Sequence, residues 1–94
     1  MHFIVTCKDK EGALEIRKAN RDAHLAFARA NAAILQVGGP LLSDEGEMIG
    51  SCLICEAEDK AALDAFLAQD PYAQAGLFES VTSQPWKWVL GKPE

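Results

Sequence analysis

The chain has no apolar run near the ~20 residues that a bilayer-spanning helix needs, so these 94 residues are not expected to cross a membrane as a helix. Basic charge is also scarce. Nine Lys+Arg stand against fourteen Asp+Glu, a net charge of −5. That sign repels phosphate backbones and excludes nucleic acid as an expected partner. Cysteine occurs three times, at Cys7, Cys52 and Cys55, and an odd count does not make a secreted disulfide framework. No G-x-S-x-G elbow is present, so a hydrolase triad is not indicated. Gly38-Gly39-Pro40 leads into neither Lys-Ser/Thr nor a helix start, which excludes a phosphate loop. Met1 to Cys7 is apolar, but it is too short for a signal peptide and lacks a basic leader. The expected location is the cytoplasm.

What is present is an ordinary globular composition, 49% hydrophobic and 24% charged. Disordered chains are apolar-poor, so a folded state is expected. The length fits one domain over residues 1–94. A chain of this size buries roughly 60–65% of its unfolded surface, enough for one modest core. Cys52-Leu53-Ile54-Cys55 matches C-x-x-C. It lies inside a β-type run, where two residues three apart point to opposite faces, and too few further ligands stand at zinc spacing. These cysteines read as small core residues in a reducing compartment.

Residues 2–8 alternate around Phe3, Ile4 and Val5, a first strand. From about Ala13 the composition turns to Ala, Leu, Arg and Glu, good helix formers. Ile16, Ala23, Phe27, Ala30 and Ile34 recur at helical steps and predict the buried stripe of a helix ending near Asn31. Ile34 to Gly39 predicts a second strand that stops at Pro40 or lies at an edge. Leu42 to Glu47 has turn composition, and Met48 to Ala57 predicts a third strand with Ile49, Ser51, Leu53 and Cys55 on one face. Asp59 is an N-cap signal for a second helix, Lys60 to Gln69, with Ala62, Leu63, Phe66 and Leu67 inward. Asp70-Pro71 stops it, and residues 71–76 read as a loop. Leu77 to Thr82 predicts a fourth strand, and Trp86 to Leu90 a short fifth beyond Pro85.

The order is β-α-β-β-α-β, the split pattern of ferredoxin-like α+β folds. It gives one antiparallel sheet with two helices on one face. The other face keeps apolar residues that nothing in the chain covers, and soluble monomers avoid such patches. A homodimer through that sheet face is the expected resolution.

Arg17, Arg21 and His24 stand at i, i+4 and i+7, on one helical stripe beside the apolar one. By spacing alone this is a solvated basic edge with His24 half-buried. Asp70, at the predicted C-terminus of the second helix, faces the negative end of the macrodipole. A turn-forming Asx role explains it plainly. A carboxylate set to orient an imidazole explains it functionally, because it fixes the tautomer of a ring that shuttles protons near neutral pH.

These residues fall in an order that resembles the YciI-like (YCII-domain) family. The matching pieces are Arg21-Asp22-Ala23-His24-Leu25, Gly39-Pro40-Leu41, Gly50-Ser51, Asp70-Pro71-Tyr72 with Gly76-Leu77, and Pro85-Trp86. The resemblance spans nearly the whole chain. It implies a dimeric α/β-barrel fold and an active site centred on a His and an Asp, here His24 and Asp70. Muconolactone isomerases share that fold, and a dehydrochlorinase of chlorinated aromatic breakdown is counted in the family. Asp22, where Pro or Glu is common, and a short loop from Leu42 to Met48 depart from the bacterial pattern. That loop rims the expected pocket, so the substrate is left open.

On this reading His24 is the general base or acid and Asp70 orients it. Arg21, Gly39, Pro40, Ser51 and Tyr72 bind a small anionic organic substrate, and no metal or organic cofactor is implied. Two alternatives use the same fold: a non-catalytic ligand-binding or regulatory module, and a haem-handling or monooxygenase relative, against which the lack of a haem-ligand signature counts.

Overall fold

The computed structural model describes residues 1–92. The elements run β1 (His2–Asp9), α1 (Leu14–Ala30), β2 (Leu35–Leu42), β3 (Met48–Glu56), α2 (Lys60–Leu67), α3 (Pro71–Gln74) and β4 (Phe78–Trp86). The four strands form one antiparallel sheet in the order β2-β3-β1-β4. This is the ferredoxin-like α+β fold expected from the sequence, with a short third helix added.

Phe3, Val5 and Cys7 of β1 stand opposite Cys55, Leu53 and Ser51 of β3, so all six project from one side of the sheet. Leu63, Phe66 and Leu67 of α2 close over them, and Phe27 and Ala28 of α1 pack against the same cluster. Phe27 and Phe66 stack at 5.0 Å between ring centroids, which adds about 0.5–1.5 kcal/mol beyond area burial. Asp59 caps α2 as expected, its carboxylate accepting from the Ala62 amide at 2.8 Å. Ala62 itself is exposed. Gly50 is required where β3 meets β1, because a Cβ there would collide with the Cys7 carbonyl.

Phe27 and Ile34 of the predicted stripe pack against the core, but the rest of the inward face of α1 is not the one its aliphatic residues predict. Ile16 is 36% exposed, and Ala23 and Ala30 are exposed, while Arg17 is 3% exposed. Alanines lie all round this helix, so the apolar period was ambiguous. The polar stripe won because Arg17 finds a buried counter-ion and His24 a buried carboxylate.

Pro40 sits within β2 rather than ending it, and β2 runs on to Leu42. The strand lies at the sheet edge, where a missing N–H costs no ladder bond. The same reason lets β4 run through Pro85 to Trp86, so the predicted fifth strand is absent among the described residues. Trp88 instead donates its indole N–H to the Leu90 carbonyl at 2.8 Å.

A register shift between Leu41 and Leu42 pairs Leu41 with Gly50 and Leu42 with Met48. Ile49 is the extra residue of that bulge and is 48% exposed, so it does not share the buried face of Ser51, Leu53 and Cys55 as its alternation predicted.

The second side of the sheet carries Val37, Leu41, Ile4, Cys52 and Ile54 and is not covered by a helix among the described residues. Cys52 thus points away from buried Cys55. No described helix is long and apolar enough to cross a membrane.

Candidate active site

Asp70 is the organising residue. The helix α2 has already ended at Leu67, and Pro71 holds Asp70 extended, at φ −60 and ψ 128. The Asp70 carboxylate then accepts from the Tyr72 amide at 2.9 Å and caps the short helix α3. The predicted loop at 71–76 is therefore helical over Pro71–Gln74. The predicted electrostatic penalty is also reversed, because Asp70 stands at the N-terminus of a helical turn rather than at the C-terminus of one.

The same Oδ1 atom of Asp70 lies 2.8 Å from His24 Nδ1. Asp70 is 2% exposed. An ionised carboxylate only accepts, so the proton of this bond sits on Nδ1 and the other ring nitrogen, Nε2, is left as an acceptor. The Tyr72 ring stacks on the imidazole, with centroids 4.0 Å apart and planes 8° from parallel. Capping and stacking come from the same two residues, Asp70 and Tyr72, and together they fix the imidazole in position and in tautomer.

Beside this pair lies a second one. Arg17 donates from Nε to Asp9 Oδ2 at 2.7 Å and from Nη2 to Asp9 Oδ1 at 2.8 Å. Nη2 also donates to Ser51 Oγ at 2.9 Å. The Arg17 guanidinium lies 4.8 Å from the Tyr72 ring centroid, a cation–π distance. Burial pulls the Arg17 pKa down, but the hydrogen bonds and charge of Asp9 outweigh it and leave it raised. Because Ser51 Oγ accepts from Arg17, its own hydrogen is free to donate elsewhere.

Burial pushes the Tyr72 phenol up, against the pull of Arg17 and Arg21, so it is neutral at ordinary pH. Burial also pushes the Cys7 thiol up to about 12 and Cys55 to about 11, with Asp70 adding to both. Neither is a nucleophile near neutrality, because the thiolate is the reactive form.

His24, Tyr72, Arg17 and Ser51 border a cavity of about 370 Å³ between α1 and the β2–β3 hairpin. Of the sequence-predicted residues, Arg21, His24, Gly39, Pro40, Ser51 and Tyr72 all line it. Asp70 does not, and stands behind His24. The sequence reading missed Arg29, Gln36 and Met48 as lining residues. It also placed Arg17 on a solvated edge, whereas Arg17 is part of the wall. Arg29 had a usable signal, since it follows Arg21 by eight positions on one helix. The Asp9 partner of Arg17 had none, because a turn separates strand from helix and no spacing rule joins them.

Comparison with known proteins agrees with this architecture. An uncharacterised protein of Haemophilus influenzae is 33% identical over 98 residues, covering 96% of this chain and all of the relative. The protein YciI of Escherichia coli O6:H1 is 34% identical over 98 residues with the same coverage. The solved structure of 5-chloro-2-hydroxyhydroquinone dehydrochlorinase from Burkholderia phenoliruptrix AC1100, in complex with 2,5-dihydroxybenzoquinone, superposes with a TM-score of 0.84 at 40% identity. The match covers 93% of this chain and 94% of that one. The family described as YCII-related domain matches residues 1–87, and the chain belongs to it.

Proposed function

We propose that the protein is a small cytoplasmic enzyme that moves protons on an anionic organic or aromatic compound, as a lyase or isomerase of dehydrochlorinase type. The observation that carries this reading is the 2.8 Å contact between His24 Nδ1 and buried Asp70, with His24 on the wall of the cavity. His24 Nε2 takes a proton from substrate carbon or oxygen. In a lyase the released electron pair forms a double bond and expels chloride from the neighbouring carbon. In an isomerase the same proton returns at another carbon. In the lyase the proton then passes from His24 to solvent, and in both cases Asp70 stabilises the imidazolium until the proton leaves.

Arg21 holds a carboxylate or phenolate of the substrate through charge-assisted hydrogen bonds. The free hydrogen of Ser51 donates to a substrate oxygen, and Tyr72 with the backbone at Gly39 and Pro40 completes the wall. The 5-chloro-2-hydroxyhydroquinone named for the similar structure is the first probe. Chloride release by the wild type is expected to fall on the order of 10²–10⁴-fold in His24→Ala, the usual contribution of a positioned base. Equal release by His24→Ala overturns the assignment. Ligand binding without turnover of any compound in a panel of phenols and ring acids favours a non-catalytic binding module.

The working unit in this proposal is a homodimer through the open sheet face. Val37 and Leu41 are exposed there beside Ile4, Cys52 and Ile54. A stable pairing buries roughly 1,200–2,000 Å² in total. Light scattering is expected to give twice the chain mass for the wild type and a single-chain mass for Ile54→Lys. A monomeric wild type at micromolar concentration removes this part.

A further inference from the structure

The distribution of charge around the cavity is uneven in a way that the fold alone does not require. The chain has three arginines, Arg17, Arg21 and Arg29, and six lysines. All three arginines line the cavity, and none of the lysines does. The chain also carries fourteen carboxylates, yet among the described residues none lines it. The hollow is therefore positive within a protein of net charge −5, and it concentrates anions.

The three arginines are not equivalent. Arg17 spends its guanidinium on Asp9 and Ser51. Among the described residues, Arg21 and Arg29 have no ion pair and no side-chain hydrogen bond. A free guanidinium presents a planar fork that matches a carboxylate two bonds at a time, which a lysine does not. Arg21 and Arg29 are separated along α1 by about 12 Å of helical rise, with His24 between them in the chain. Leu25 and Ala28 follow between the two along α1 and line the same cavity, and Leu35 of β2 adds a further apolar side chain to its lining.

We propose that the site takes a dianion: an elongated, largely apolar molecule, such as an aromatic ring, with one acidic group on Arg21 near His24 and a second, remote acidic group on Arg29. This deepens the proton-transfer reading and rests on it for the placement of the first group. Arg29 then sets specificity without touching the reacting atoms. Its place in the last turn of α1 also suits the helix dipole. That role affects stability alike with or without ligand and does not distinguish one acid from two.

The test is calorimetric binding of benzoate, terephthalate and the longer biphenyl dicarboxylate to the wild type, Arg29→Gln and Arg29→Lys. At least one of the dicarboxylates is expected to bind the wild type tenfold or more tightly than benzoate. In Arg29→Gln that ratio is expected to fall to about one, and in Arg29→Lys to an intermediate value. A ratio near one in the wild type, a ratio that survives Arg29→Gln, or no binding of any of the three at millimolar concentration each overturns the proposal. Loss of selectivity in Arg29→Gln with turnover still independent of His24 overturns the proton-transfer reading alone. A wild type that turns over phenols through His24 without favouring diacids overturns the dianion alone.

Discussion

Two buried carboxylates, Asp9 and Asp70, each hold a side chain of α1 that lines the cavity, and the two contacts are built for opposite ends. In Asp9–Arg17 both carboxylate oxygens meet guanidinium nitrogens, and the remaining donor capacity at Nη2 goes to Ser51. Side-chain exposures of 3% and 6% leave the pair sealed. In His24–Asp70 a single bond joins the partners, and the capping amide of Tyr72 takes the rest of the Asp70 oxygen. The imidazole, which lines the cavity, keeps one nitrogen uncommitted among the described residues. Similar ingredients, a buried carboxylate and a cationic or cationisable partner, thus give a clamp in one case and a working atom in the other. What separates them is that Arg17 takes both oxygens of its carboxylate in a two-bond fork, whereas His24 meets its carboxylate through one ring nitrogen and keeps the other.

The largest stability effect is expected at the clamp. Asp9→Ala leaves a buried guanidinium uncompensated, and removing one partner of such a pair costs about 3–5 kcal/mol. Urea unfolding of Asp9→Ala against the wild type measures it, and a loss below about 1 kcal/mol would mean that Arg17 simply swings into water. His24→Ala is expected to lose less stability than Asp9→Ala but far more turnover, so the two variants should rank oppositely by melting and by activity.

Next in size is an alkaline effect. The thiol of Cys7 is raised from 9.0 to about 12 in the fold. A thiol that keeps its proton when folded and loses it when unfolded stabilises fully below pH 9, and that stabilisation is lost as pH rises toward 12. The melting temperature is expected to fall over that window and to fall less steeply in Cys7→Ala. Equal slopes would remove the thiol from the explanation.

The smallest effect compares the two pairs directly. Asp70 and Asp9 both raise the Cys7 thiol, Asp70 more than Asp9, while Arg17 lowers it. Asp70→Asn is expected to bring its ionisation, followed by ultraviolet thiolate absorbance, lower than Asp9→Asn does. The reverse order would misplace the two charges.

The βαββαβ order was legible because strands and helices here differ clearly in period and composition, and because Asp59 and Pro71 mark their ends. The inward face of α1 was not, since Ala23, Ala30 and Ile16 spread the apolar signal while the polar residues found buried partners. Pro40 left a stop or an edge strand open and the structure gives the edge, whereas Pro85 was read as a stop, because a single sequence does not say which strands are outermost. His24 and Asp70 were singled out by residue type and position, and the resemblance turned the plain reading into a functional one; their 2.8 Å contact spans a tertiary distance that spacing does not encode. Arg17 was seen but assigned to solvent, because its counter-ion Asp9 lies on another element.

Nitrogen-15 NMR of the His24 imidazole tests the central claim most directly. For the neutral ring it should show a proton on Nδ1 and none on Nε2, with this preference lost in Asp70→Asn. A ring protonated on Nε2, or one averaging both tautomers equally in the wild type, would contradict an imidazole held by Asp70 with one nitrogen kept for the substrate.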